Sequence, residues 1–185
     1  YGTKGDEEKF IPYLSENWNK MLMHCLEEAE RLDMQVDIAL GSGWPYGGPW
    51  ITEEYAARKY QPGHPQGVPT RQRVKRSAPG AEGWVVDHFS PEAMHVFLTR
   101  FDSLADQIRK KDLPLRAIFN DSYEVYGASW TKNFVNEFLE RRGYEILTDP
   151  VFREGSSGLD TSPVWIDYHH TVHELIEHLF IVHNL

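Results

Sequence analysis

The stretch of this chain most able to do chemistry is "AIFNDSYEVYGASWT", residues 117–131. An apolar run ends at Asn120, and two carboxylates, Asp121 and Glu124, follow among Tyr123, Tyr126 and Trp130. Acids set among aromatic rings suit a sugar: C–H faces stack on rings, while hydroxyls require polar partners. A solvated loop is the bland alternative. Three residues apart, Asp121 and Glu124 are poorly placed to act as the two widely separated carboxyls that direct hydrolysis with inversion needs. They can instead divide the work, with Glu124 as acid or base and Asp121 as a ligand to the sugar or a metal.

A second aromatic cluster, "GSGWPYGGPWI", is too rich in Gly and Pro for regular structure and carries Trp44, Tyr46 and Trp50. Trp44 is expected to line a pocket and Trp130 to pack in a core. Asp87 and His88 follow a brief apolar run, where they reach either a sugar or metal, or form a surface turn. Near the C-terminus, His169 and His173 share a helix face and could take zinc. The "HELIEH" stretch fails as a metalloprotease motif, because His173 and His178 are five apart and leave the helix on different sides.

The elements that must hold these residues alternate. Ser15 is a predicted N-cap, with Trp18, Met21, Leu22, Cys25, Leu26, Ala29 and Leu32 at helical spacing and Cys25 expected to be buried. "MQVDIAL" predicts a strand, and "GWVVDHF" a brief one. Ser90 and Pro91 open a predicted helix through Lys111, and "LRAIFN" is a buried strand. A helix from about Thr131 ends at Gly143, and another runs from Asp167. Helices between short apolar strands predict an α/β fold with a parallel sheet, as one domain over residues 1–185. The acids and tryptophans come after the strands, at the edge where parallel α/β folds bind ligands. The strands recognised are too few to close a barrel, so either some are hidden or the chain is a piece of a larger domain. Open strand edges in such a piece invite homo-oligomers.

Composition narrows the partners. The net charge of −9 argues against a nucleic-acid backbone. The basic stretch Arg71–Arg76 reads as a solvated loop. A single cysteine excludes an internal disulfide, and no apolar run is long enough to span a bilayer. The chain begins at Tyr1 without a methionine, which suggests a processed chain or a fragment and leaves secretion open.

The motifs "GSGWPYGGPWIT", "VKRSAPGAEGWVVDHFSPEA", "FNDSYEVYGASWT", "FLERRGYEI" and "DYHHTVHELI" occur in an order that resembles the catalytic domain of the α-L-rhamnosidases of glycoside hydrolase family 106, from about Trp18 to Leu179. The resemblance implies part of a (β/α)8 TIM-type barrel that removes terminal α-L-rhamnose with inversion, assisted by calcium. It makes Glu124 one of two catalytic carboxylates, with its partner expected beyond Leu185, and a secreted or periplasmic parent enzyme plausible. Trp44, Asp87, His88, Asp121 and Tyr123 become candidate substrate contacts. The stretch after "EEYAARK" and the bridge "FREGSSGLDTSPV" are shorter here than in that family. Such trimming keeps a second reading open, a carbohydrate-binding or structural fragment without the second acid.

Overall fold

A computed structural model describes residues 5–120, 124–154 and 162–182. The chain divides into two compact units. The first comprises Tyr1–Thr52, Arg73–Val85 and His95–Glu124; the second comprises Glu53–Gln72, Val86–Met94 and Val125–Leu185.

In the first unit, α1 (Glu16–Arg31) starts where the Ser15 hydroxyl accepts the Trp18 amide at 3.2 Å. Its buried stripe is Met23, Leu26 and Ala29. At ~100° per residue this stripe centres near Leu26, which puts Cys25 at its edge. The thiol is exposed, not buried as expected. β1 (Val36–Ile38) pairs in parallel with β6 (Leu115–Ile118), with Asp37 opposite Ala117 and Ile38 opposite Ile118. Met23, Leu26, Leu104, Ile108 and Leu113 form the core beneath this pair, flanked by Trp18, Leu22, Val36 and Leu115. The expected parallel sheet is present as these two strands. β6 is not the buried strand its composition suggested: Ile118 is 40% exposed and Phe119 57%. Among the described residues of this unit only β1 pairs with it, so its remaining face and edge stay open.

The long helix expected from Pro91 to Lys111 is interrupted. α2 (Pro91–Leu98) passes into a 3₁₀ turn, Thr99–Phe101, before α3 (Asp102–Lys110). The Thr99 hydroxyl donates to the Val96 carbonyl at 2.9 Å, a local bond that competes with the regular ladder. The start of α2 is as predicted, with the Ser90 hydroxyl accepting the Ala93 amide at 3.2 Å. The brief strand expected in "GWVVDHF" is present as β5 (Trp84–Val85), which pairs antiparallel in the first unit with β2 (Gly47–Gly48), from a loop expected to be irregular; in the second unit β3 (Arg58–Lys59) pairs antiparallel with β4 (Val68–Pro69). β2, β3 and β4, two residues each, carry no periodicity long enough to recognise.

The second unit is built on α4 (Phe134–Arg142), the short α5 (Pro150–Glu154) and α6 (Pro163–Val182). Trp130, Phe134, Phe138, Ile146, Phe152, Val164, Tyr168 and Leu175 share one aromatic core with Phe89. Gly143 closes α4 at φ 78°, a left-handed conformation that glycine adopts without strain. α6 starts four residues before the expected Asp167, because Pro163 suits a first helical turn and the Ser162 carbonyl accepts the Trp165 amide at 3.1 Å. Arg142 links α4 to α6 through the Thr171 hydroxyl at 3.0 Å and Glu174 at 2.6 Å. No helix among the described residues is long and apolar enough to cross a membrane.

Candidate active site

The parallel register of β1 and β6 decides where the two aromatic stretches leave the sheet. Both strands point the same way, so the glycine-rich loop after Ile38 and the segment after Ile118 emerge from one rim. Two contacts fasten the loop there. The Phe119 amide donates to the Ile38 carbonyl at 2.8 Å, and the buried Tyr46 hydroxyl donates to the Phe119 carbonyl at 2.8 Å. Tyr46 also stacks on Phe97 at 5.6 Å, as does Trp50 at 5.9 Å. The Tyr13 hydroxyl holds the Leu40 carbonyl at 2.6 Å.

Glycine is required where this loop meets its neighbours. A Cβ on Gly43 would lie 2.5 Å from the Lys75 carbonyl oxygen, and one on Gly47 would overlap the Trp84 carbonyl. Trp44 is half-buried, and its backbone exchanges two hydrogen bonds with Lys75, at 3.0 and 2.8 Å. Glu124 is exposed, six residues past the end of β6. Asp121 and Tyr123 lie outside the described residues.

Asp87 and His88 belong to the second unit and are 3% and 5% exposed, which rules out the surface turn. The Asp87 amide donates to the Tyr55 carbonyl at 2.8 Å. Its carboxylate accepts the Phe89 amide at 3.0 Å and a hydrogen bond from the Thr131 side chain. Burial raises its pKa from 3.8 to about 7, against those hydrogen bonds and the charges of Arg58 and Lys132. Burial pushes His88 the other way, from 6.5 to about 4, although the Val86 carbonyl, 2.8 Å from Nδ1, favours the protonated ring. The imidazole is therefore neutral at pH 7, and a carbonyl partner places the proton on Nδ1.

These two shifts have opposite consequences for stability. A raised carboxyl pKa contributes stability below about pH 4 that is lost as pH rises through about 7. A depressed histidine pKa contributes stability above about 6.5 that is lost as pH falls through about 4. Between those limits the slopes oppose one another in the wild type. Asp87→Asn is therefore expected to gain on the wild type progressively from pH 4 to 7, and His88→Gln to lose its deficit progressively from pH 6.5 to 4. Urea midpoints across that range measure both differences; parallel curves for all three proteins would refute the assignment.

Trp130 packs as expected, fully buried in the second unit, with its indole N–H on the Pro65 carbonyl at 2.8 Å. Tyr126, in the same unit, is 62% exposed. Among the described residues no group of three or more His, Cys, Asp or Glu side chains could hold a metal ion. His169 packs edge-on against Trp165 at 5.0 Å. Two residues that hold site residues in place escaped the sequence reading: Thr131, with no local signature, and Lys75, whose alternation with Arg73 in "RQRVK" was the signal available.

The family profile described as alpha-L-rhamnosidase, glycoside hydrolase family 106, matches residues 68–176. The chain belongs to the α-L-rhamnosidase family. The matched span contains Asp87, His88 and Glu124, whereas Trp44 and Tyr46 lie outside it. This family member is also similar to the solved rhamnosidase from Novosphingobium sp. PP1Y, at 24% identity and a TM-score of 0.49, over 60% of this chain and 11% of that one. No curated protein matches the rhamnosidase-family chain by sequence.

Proposed function

We propose that this chain is part of the catalytic domain of a glycoside hydrolase that releases terminal α-L-rhamnose with inversion, and that Glu124 is one of its two catalytic carboxylates. The observation that carries the reading is the shared rim, from which the Glu124 segment and the tryptophan loop both leave the parallel pair, joined by Tyr46. The family match over residues 68–176 supplies the substrate class. In this reading β1 and β6 are two staves of a (β/α)8 barrel, whose active site lies at the C-terminal ends of its strands.

Inversion needs two carboxyls about 6.5–9.5 Å apart. One protonates the glycosidic oxygen as its bond to the anomeric carbon breaks. The other takes a proton from the water that attacks the opposite face of the sugar. Glu124 fills one of these roles, and a carboxylate from another part of the enzyme fills the second. Trp44 offers a ring to the sugar face, and Asp121 and Tyr123 carry polar groups of the kind that the hydroxyls require. The burial of Asp87 and His88 suits holding the Phe89 and Thr131 segments more than touching a hydroxyl. Calcium takes carboxylate and carbonyl oxygens as ligands, and no step above depends on it.

Full-length protein is expected to release 4-nitrophenolate from 4-nitrophenyl α-L-rhamnoside, with β-L-rhamnose as the first anomer seen by NMR. The α anomer appearing first would overturn inversion. Rhamnose-dependent quenching of tryptophan fluorescence without turnover would favour the carbohydrate-binding reading.

A further inference from the structure

The basic stretch beside the tryptophan loop is built rather than merely solvated. Arg73–Lys75 is the middle of three antiparallel segments in the first unit. Lys75 bridges to Trp44 on one side; on the other, Arg73 bridges to Trp84 and the Val74 amide donates to the Gly83 carbonyl at 3.0 Å. Val74 turns inward, against the positions where side chains on Gly43 and Gly47 would start. Arg73 and Lys75 turn outward and are exposed.

Each outward cation lies over an indole. The Arg73 guanidinium carbon is 4.8 Å from the centre of the Trp84 ring, and Lys75 Nζ is 5.9 Å from that of Trp44. Both are within cation–π range. Arg73 and Arg76 join no ion pair among the described residues. The sequence from Tyr55 to Ala81 has no Asp or Glu, in a chain with 28 of them and a net charge of −9. A rigidly held row of paired cations and indoles on an acidic protein, with Glu82 at its edge accepting the Gly80 amide at 2.9 Å, is complementary to one ligand chemistry. It fits a ring with a C–H face for tryptophan and a carboxylate for Arg and Lys.

We propose that Trp44, Lys75, Arg73 and Trp84 form a subsite for a uronic acid that neighbours rhamnose in the substrate. The inference rests on the rhamnosidase reading, with Trp44 shared between the two sugars. A carboxylate on a planar guanidinium makes paired charge-assisted hydrogen bonds, which an ester cannot accept as an anion.

The test is calorimetric titration of the full-length protein with three ligands: methyl α-L-rhamnoside, an α-L-rhamnosyl-(1→4)-glucuronic acid disaccharide, and the methyl ester of that disaccharide. The acid is expected to bind about tenfold more tightly than its ester, one charge-assisted contact's worth. That preference should vanish in Arg73→Gln, with affinity for methyl α-L-rhamnoside unchanged, and should persist in Lys75→Arg, which also controls for folding. Equal binding of acid and ester overturns the subsite and leaves the rhamnosidase reading intact. A preference that survives Arg73→Gln together with Lys75→Gln overturns it as well. Failure of methyl α-L-rhamnoside to bind, with the acid still preferred over its ester, counts against the rhamnose reading alone.

Discussion

Glu124→Gln is expected to lower kcat/KM on an alkyl α-L-rhamnoside by about 10³-fold, within the 10²–10⁴ that positioned proton transfer contributes. The amide keeps the size and hydrogen-bonding reach of the carboxyl but can neither give nor take the proton that hydrolysis moves. Because the residue is exposed, the substitution should cost at most about 0.5 kcal/mol of stability, so the lost rate reports chemistry. The leaving group then separates the two roles. A missing general acid is felt strongly with an alkyl leaving group and weakly with 4-nitrophenolate, which departs without protonation. A missing general base is felt equally with both. Steady-state kinetics on the two substrates in the full-length enzyme make the comparison, and a loss below tenfold on each would remove Glu124 from catalysis.

Trp130→Ala should produce the largest loss of stability, about 3–5 kcal/mol. Trp130 is fully buried, stacks on Phe134 at 4.1 Å and Tyr168 at 6.3 Å, and meets the tilted ring of Tyr60 at 4.9 Å. Its indole N–H also holds the Pro65 carbonyl, and Gly67 approaches so closely that a Cβ there would lie 2.7 Å from the ring. The substitution therefore leaves a cavity among aromatic neighbours and removes the donor that fixes residues 65–67. A small domain is stable by only about 5–15 kcal/mol, so the second unit should unfold at far lower urea concentration. Trp130→Phe retains the stack on Phe134 and loses the Pro65 bond, and should fall between. Urea titration followed by circular dichroism gives both values. A loss under 1 kcal/mol for the alanine variant would mean that this aromatic cluster does not hold the unit together.

The sequence by itself determined the elements whose cause is local. Ser15 and Ser90 cap their helices because a hydroxyl one turn from free amides needs no distant partner. Gly143 ends α4 because only a left-handed residue continues that backbone. The order of the motifs identified the family, since order and residue type survive without coordinates. Features that depend on pairing between distant segments were not legible. The expected burial of Cys25 follows from helical spacing and that of β6 from apolar composition, and neither reveals how many neighbours a helix edge or a strand acquires.

The pairing of β2 with β5, the Tyr46–Phe119 contact and the pairing of Trp44 with Lys75 join residues 31 to 73 positions apart. Asp87 and His88 read equally well as a surface turn until Thr131 and the second unit's packing enclosed them. A side chain's type fixes which proton it can carry, and that much is written in the sequence. Whether the proton is held at an ordinary pKa, and which ring or carbonyl lies beside it, depends on desolvation and contacts that exist only once distant segments have packed.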